Sequence, residues 1–250
     1  MKNPITSSQS FESPVGWGND PLSNFQKIAF ANEMATFAHT PEWQGILSEV
    51  SSVLDRCAGF AIGELAKTFN TSLFLFLSAH NNYLAVVRCA TAGHCLPAYS
   101  VGRAAVEFAL YGWYLVSSPE SVERWHDKPI DKKGLNKWGR EFTFSNIAKG
   151  LGETDKELSD WAKYLHQTAI DFGGHPNKAA LYSNIEYENR VLKVQYLHPW
   201  NCLSKATMKF AIEVGLFSIS LFSLSFNDLD LAENIAKCAK GLAILQRDMS

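Results

Sequence analysis

Two charged residues, Arg103 and Glu107, interrupt an otherwise apolar segment that runs from Ala98 to Val116. They are four residues apart, so a helix places both on one face, and Arg before Glu is the weaker order for an exposed helical pair. Charges inside an apolar helix must be paired or must line a wet cavity. We therefore predict a buried ion pair, which either fixes how helices pack or forms the floor of a functional pocket. If it is buried, truncating either residue to alanine costs on the order of 3–5 kcal/mol.

His175 is the second candidate, because it lies between Gly174 and Pro176 just after a predicted helix end. Histidine titrates near neutral pH, and loops on rigid scaffolds often carry functional residues. The alternative is a turn in which His175 and Asn177 bond nearby backbone groups. If His175 meets the ion pair, Arg103 holds an anionic or carbonyl-bearing ligand, Glu107 orients it and His175 acts as acid or base.

Two further motifs suggest more specific chemistry. Arg88 and His94 have the spacing of the arginine–histidine motif of HEPN-type ribonucleases, which are helical bundles, but the residue after the arginine is usually polar there and is Cys89 here. Glu123 and His126 form half of a di-iron Glu-x-x-His pattern, and such sites need two copies. The sequence has no second copy and no glycine-rich phosphate loop, so we predict neither a metal nor a cofactor.

Composition narrows the class of protein. The 250 residues are 46% hydrophobic and 19% charged, below the usual quarter, and the net charge is −2. A nucleic-acid partner is therefore not expected, because such proteins carry basic surfaces. Five cysteines without a C-x-x-C pair are typical of reduced thiols in a cytoplasmic protein. The N-terminus lacks the apolar core of a signal peptide, and the uncharged stretch 214–227 is too short to span a membrane.

Hydrophobic periodicity predicts a mainly α-helical bundle with one small β-hairpin near residues 185–197. The Ser-, Pro- and Gly-rich residues 1–24 are expected to form a flexible arm, and residues 25–250 a single helical domain. His80 interrupts one apolar helix and is expected to be a hydrogen-bonded core histidine. The predicted helices lie near residues 40–69, 73–90, 97–116, 118–126, 135–149, 155–172, 202–226 and 228–247.

Three segments together resemble a family of helical bacterial proteins to which no activity is assigned. They are Val101-Gly-Arg-Ala-Ala-Val-Glu107, Ser118-Pro-Glu with Glu123-Arg-Trp125, and Ile170-Asp-Phe-Gly-Gly-His-Pro-Asn177. The resemblance covers roughly residues 70–200. It implies a helical fold and a bacterial source, and it groups Arg103, Glu107 and His175 as residues of shared interest.

Two functions remain open at this point. The first is a helical binding or regulatory protein with a small polar pocket, acting as a homo-oligomer or with a protein partner. The second is an enzyme that uses Arg103, Glu107 and His175. The sequence predicts no membrane association and leaves the ligand unnamed, with a small anion as the expected class.

Overall fold

The computed structural model describes residues 13–174, 178–188, 190–198, 201–227 and 231–247. It is a mainly α-helical bundle with one antiparallel hairpin, as the periodicity predicts. The helices are α1 (Pro21–His39), α2 (Pro41–Leu65), α3 (Thr71–Thr91), α4 (Cys95–Ser117), α5 (Glu120–His126), α6 (Lys132–Glu141), α7 (Phe144–Thr154), α8 (Lys156–Ala169), α9 (Lys178–Ser183), α10 (Cys202–Phe226) and α11 (Ala232–Arg247). The hairpin strands are β1 (Ile185–Glu188) and β2 (Val191–Val194).

The centre of the bundle is formed by α3, α4 and α10, which are apolar on most sides. Glycines let these helices approach closely. A Cβ atom at Gly102 of α4 would lie 2.4 Å from the Phe210 ring, and one at Gly215 of α10 would lie 2.4 Å from Val50 Cγ1. Real Cβ atoms do not come so near, so these packing distances require glycine.

Helix α10 is the most apolar of the described helices. Among the described residues it is the one helix long and apolar enough to cross a membrane, and 61% of its most apolar window is buried inside the bundle. The uncharged stretch 214–227, which the sequence analysis judged too short to span a membrane, is part of this 25-residue helix, whose first half also carries Lys205, Lys209 and Glu213. Its burial is what a core helix shows.

Several boundaries differ from the predicted ones. The predicted helix near 135–149 is two helices, because Thr143 ends the first segment and caps α7 by accepting a hydrogen bond from the Asn146 amide. Helix α1 begins at Pro21, after Asp20 caps it, so the last four residues of the predicted arm are helical. Residues 1–12 of that arm lie outside the described residues.

One polar residue inside the bundle, His80, lacks the hydrogen bond that the sequence analysis expected. His80 Nε2 is buried without a hydrogen-bond partner, and the nearest carboxylate oxygen, on Asp55, is 3.6 Å away. The prediction of a hydrogen-bonded core histidine was therefore wrong. Burial lowers the pKa of His80, and the Asp55 charge opposes this only in part.

The cysteines are free thiols, as expected for reduced cysteines. Cys57, Cys95 and Cys238 are buried, Cys89 is half-buried and Cys202 is exposed. Burial raises the pKa of Cys57 to about 12 and that of Cys95 to about 11, so these two thiols stay protonated and unreactive.

Candidate functional site

Arg103 and Glu107 form the predicted ion pair on α4. Arg103 Nε donates a hydrogen bond to Glu107 Oε1 over 2.8 Å. The pair is not buried, however: the two side chains are 37% and 34% exposed. The prediction of a buried pair was therefore wrong. Helix α4 is apolar on nearly every side, but the bundle does not cover every side. The side that carries Arg103 and Glu107 is partly exposed to solvent.

His166 is the third member of the cluster, and it comes from α8. Its Nε2 atom lies 3.1 Å from Glu107 Oε1, and its side chain is only 14% exposed. One carboxylate oxygen, Glu107 Oε1, is therefore in hydrogen-bond contact with Arg103 from its own helix and with His166 from α8. We refer to Arg103, Glu107 and His166 as the carboxylate cluster.

The imidazole of His166 is held in place by an aromatic ring. Phe144, the first residue of α7, stacks on it with ring centroids 3.8 Å apart and planes inclined by 13°. Helix α7 is fastened to α8 because Ser159 Oγ donates to the Ala148 carbonyl over 2.6 Å. The orientation of His166 thus depends on three helices, α4, α7 and α8.

The contacts with Arg103 and His166 both stabilise the ionised form of Glu107. Partial burial raises the pKa of this carboxyl, but the hydrogen bonds from His166 and Arg103, together with their charges, outweigh burial and hold the pKa below its ordinary value. Glu107 is therefore a carboxylate at neutral pH. Its ionised form is stabilised by the same neighbours that fix its position.

An open pocket of about 320 Å³ begins beside this carboxylate. Helix α4 provides most of the wall, with α3 and α5 on either side. The lining residues are Leu75, Ala104, Glu107, Phe108, Tyr111 and Trp125. Three aromatic rings and one carboxylate thus surround the pocket, and Glu107 is the one charged residue among those that line it.

Tyr111 adds a second oxygen to the pocket. Its hydroxyl donates a short hydrogen bond to the Phe142 carbonyl, so its proton is already used. Burial, followed by the negative charge of Glu107, raises the pKa of Tyr111, which keeps the phenol protonated. The Tyr111 oxygen can still accept a hydrogen bond from a ligand.

His175 lies outside the described residues, so its predicted meeting with Arg103 and Glu107 stays a prediction. The segment before it does reach α4. Ser100 Oγ donates to the Gly173 carbonyl over 2.8 Å, and a Cβ atom at Gly173 would lie 2.3 Å from the Leu96 carbonyl oxygen. Ser100 lies three residues before Arg103 on α4, about one helical turn.

The residues of the weaker motifs have other partners. Arg88 Nε donates a hydrogen bond to Glu33 Oε1 over 3.1 Å. His94 precedes α4 without a side-chain capping hydrogen bond, and its ring packs edge-on against Phe25. His126 lies 2.8 Å from Thr71 Oγ1. Among the residues that the structure describes, no three His, Cys, Asp or Glu side chains come close enough to hold a metal ion.

Sequence reasoning missed His166 and Phe144, and it named Trp125 only as part of the family resemblance and not as a site residue. A signal for His166 was present: Ala162, Leu165 and Ala169 form the buried stripe of α8, and His166 follows Ala162 by four residues. A histidine on a core-facing stripe needs a polar partner, and Glu107 was one of the few charged residues predicted in the core. Nothing comparable points to Phe144, whose role depends on how α7 meets α8.

Comparisons of the chain with protein-family models, with curated proteins and with solved structures find no match. The family resemblance proposed from the sequence therefore stays a prediction. What can be said of function rests on the carboxylate cluster and the pocket beside it.

Proposed function

We propose that this chain is a helical binding protein whose pocket between α3, α4 and α5 takes a small organic cation with an apolar or aromatic body. The observation that carries the proposal is the pocket lining, in which the Glu107 carboxylate is the one charged group amid Phe108, Tyr111 and Trp125. Aromatic faces attract cations, and a carboxylate beside them adds a charge-assisted hydrogen bond.

The carboxylate cluster supports this ligand class for a second reason. Both hydrogen bonds to Glu107 from Arg103 and His166 end on the Oε1 atom. The other oxygen, Oε2, is left to accept from a ligand, and its position is fixed before binding. A pre-positioned acceptor loses less conformational freedom on binding than a mobile one, which favours affinity.

This ligand differs from the anionic or carbonyl-bearing ligand expected from the sequence. That expectation assigned ligand contact to Arg103, whereas Arg103 is bonded to Glu107 and does not line the pocket. The volume of about 320 Å³ lies at the small end of the range for ligand pockets. A one-ring amine fits that size.

Three probes of similar size test the proposal. At neutral pH, phenethylamine is a cation, phenethyl alcohol is neutral and phenylacetate is an anion. Isothermal titration calorimetry should show the cation binding roughly tenfold or more tightly than the other two, a difference of about 1.4 kcal/mol. The Glu107→Gln variant should lose this preference, and Glu153→Gln, at an exposed position of α7, should keep it.

Each contrary result has a clear meaning. Tighter binding of phenylacetate would contradict the proposal and would indicate instead an anion site centred on Arg103. No heat with any of the three probes would leave the chain without a small-molecule function at this pocket.

An enzyme is the second candidate, and the Glu107–His166 contact favours it. A carboxylate that orients an imidazole is the arrangement of a general base. His166 does not line the pocket, so this role requires a substrate that reaches past Glu107 to the His166 Nδ1 atom, the ring nitrogen that does not face Glu107. If the pocket serves catalysis, His166→Gln should abolish turnover of a bound substrate while leaving phenethylamine affinity within about threefold, or under 1 kcal/mol.

A further inference from the structure

A second pocket opens at the start of α3, and its volume of about 470 Å³ lies within the usual range for small-ligand sites. Helices α4, α5 and α10 complete it, and we call it the α3-start pocket. Most of its wall is apolar, and its polar side chains come from the first residues of α3 and the end of α5. The lining includes Thr71, Ser72, Leu115, Val122, His126 and Phe226.

Ser72 is a polar residue of this pocket that has no partner. Only 2% of the residue is exposed, yet its hydroxyl forms no hydrogen bond with any residue that the structure describes. A helical serine often donates to the carbonyl four residues earlier, as Ser78 does to Phe74. Ser72 is the second residue of α3, so that carbonyl precedes the helix. A buried polar group without a partner calls for an explanation, and a ligand in the pocket would supply the missing acceptor.

The backbone at the start of α3 adds a second donor. Asn70 Oδ1 accepts hydrogen bonds from the amides of Ser72 and Leu73. The Thr71 amide has no acceptor in the part of the chain that the structure describes. Free amides at the start of a helix, together with the positive end of its dipole, favour an anion. The amide of Thr71 and the hydroxyl of Ser72 therefore both require an acceptor, and they belong to adjacent residues.

The charges around the α3-start pocket also differ from those beside Glu107. Among the described residues, no acidic side chain lines this pocket. The last turns of α4 and α10 do reach it, and carbonyl ends of helices repel anions. Both ends are partly capped, however. The Ser118 amide donates to the Tyr114 carbonyl, and the Asn227 amide donates to the Ser223 carbonyl, each over 3.0 Å. The start of α3 is therefore the part of the pocket that favours a charged acceptor.

We propose that the α3-start pocket binds a small monocarboxylate with an aliphatic body. The carboxylate accepts hydrogen bonds from the Ser72 hydroxyl and the Thr71 amide, and a charged acceptor forms stronger bonds than a neutral one. The aliphatic body lies against the apolar wall, which includes Val122 and Phe226. This inference does not depend on which ligand occupies the pocket beside Glu107.

Hexanoate and hexanol test the proposal, because they share a body and differ in the charge of the polar end. Isothermal titration calorimetry at neutral pH should show hexanoate binding at least tenfold more tightly, a difference of about 1.4 kcal/mol. Ser72→Ala should weaken hexanoate binding about tenfold without lowering stability in urea, because the hydroxyl that it removes has no partner. Ser52→Ala, whose exposed hydroxyl donates to the Ser48 carbonyl on α2, is the matched control and should keep the wild-type affinity.

The position of the bound carboxylate can be measured separately. In NMR titrations with hexanoate, the amide resonances of Thr71 and Ser72 should shift most. Glu107→Gln should leave the hexanoate affinity within about twofold, so the two pockets can fail independently. Phenylacetate binding that disappears in Ser72→Ala belongs to the α3-start pocket and supports the inference. Three results would overturn it: no hexanoate binding at millimolar concentration, hexanol binding as tightly as hexanoate, or hexanoate binding that Ser72→Ala leaves unchanged.

Discussion

The two faces of α4 show two different ways of fixing a helix in place. Toward α3 and α10 the helix presents Gly102 and Gly112, over which the rings of Phe210 and Phe76 lie. Toward α7 and α8 it presents Arg103 and Glu107, which bond each other and His166. The first face is determined by shape and tolerates no added atom, whereas the second depends on a few polar bonds and stays partly open to water. A binding site needs the second kind of face, held firmly by the first.

The glycine face should give the largest effect when it is changed. Gly102→Ala places a Cβ atom 2.4 Å from Phe210 Cε1, and Phe210 is only 2% exposed and in ring contact with Tyr99. The ring has no space into which to move, so we expect a loss of about 2–3 kcal/mol in the free energy of unfolding. Urea denaturation measures it.

The control for that change is Gly59→Ala, in the exposed part of α2. No atom lies within 4 Å of the added Cβ position there, so alanine should stabilise the helix by about 0.5–1 kcal/mol. Equal effects at the two glycines would show that helix propensity, and not close packing, governs the glycine face of α4.

The polar face should give a smaller effect. Glu107→Ala removes the acceptor of both Arg103 and His166, but Arg103 can turn toward water because its side chain is 37% exposed. We expect a loss of about 1.5–2 kcal/mol, the low end of the range for a hydrogen bond to a charged group, and not the 3–5 kcal/mol of a buried pair. Thermal unfolding followed by circular dichroism gives the difference, and a loss above that of Gly102→Ala would reverse the order of the two faces.

The sequence predicted the glycine face better than the polar one. An apolar run from Ala98 to Val116 with small residues at intervals is enough to indicate a central helix. The exposure of Arg103 and the partner His166 are not encoded near α4, because both depend on where α7 and α8 end. Thr143, which divides one predicted helix into α6 and α7, sets the position of Phe144 and hence of the His166 ring.

The hairpin and α1 show the same contrast. The hairpin was visible because a change of period from helix to strand is local, and its register from Ile185 opposite Val194 follows from a short turn. Helix α1 was not identified, because its apolar residues are spread around the helix: Phe25 packs against His94, whereas Ile28 and Phe30 are both exposed. Sequence periodicity cannot identify a helix whose apolar residues do not form one face.

Acid should weaken the polar face and leave the glycine face unchanged. The pKa of Glu107 lies below its ordinary value of 4.5 in the folded protein, because the bonds from His166 and Arg103 outweigh burial. The unfolded chain therefore binds the proton first, and the stability that Glu107 contributes is lost as pH falls from about 4.5 through the folded pKa. Glu107→Gln should remove this part of the pH dependence, and an unchanged acid profile would show that Glu107 contributes no pH-dependent stability.

His80 should make stability depend on pH in a second range, above the one in which Glu107 titrates. Burial lowers its pKa below the ordinary value of 6.5, so the unfolded chain takes up the proton first as pH decreases. Stability should begin to fall below about pH 6.5, before Glu107 is titrated. His80→Leu should flatten this window and leave the lower one. His94, whose pKa burial also lowers, should account for what remains of the upper window.

The smallest expected effect is the direct coupling between Arg103 and Glu107. Both side chains are about one third exposed, so water screens their charges, and exposed pairs contribute about 0.2–1 kcal/mol. Since Arg precedes Glu, the helix dipole adds nothing to the pair, and Glu107 keeps its bond to His166 when Arg103 is removed. A double-mutant cycle with Arg103→Ala and Glu107→Ala should therefore give a coupling within that range, and it should decrease in high salt. The same cycle with His166→Ala and Glu107→Ala should couple more strongly and lose less of its coupling in salt, because His166 is only 14% exposed. If the arginine pair proved the stronger of the two, the carboxylate would be held by α4 alone, and the pocket wall would not depend on how α8 packs against it.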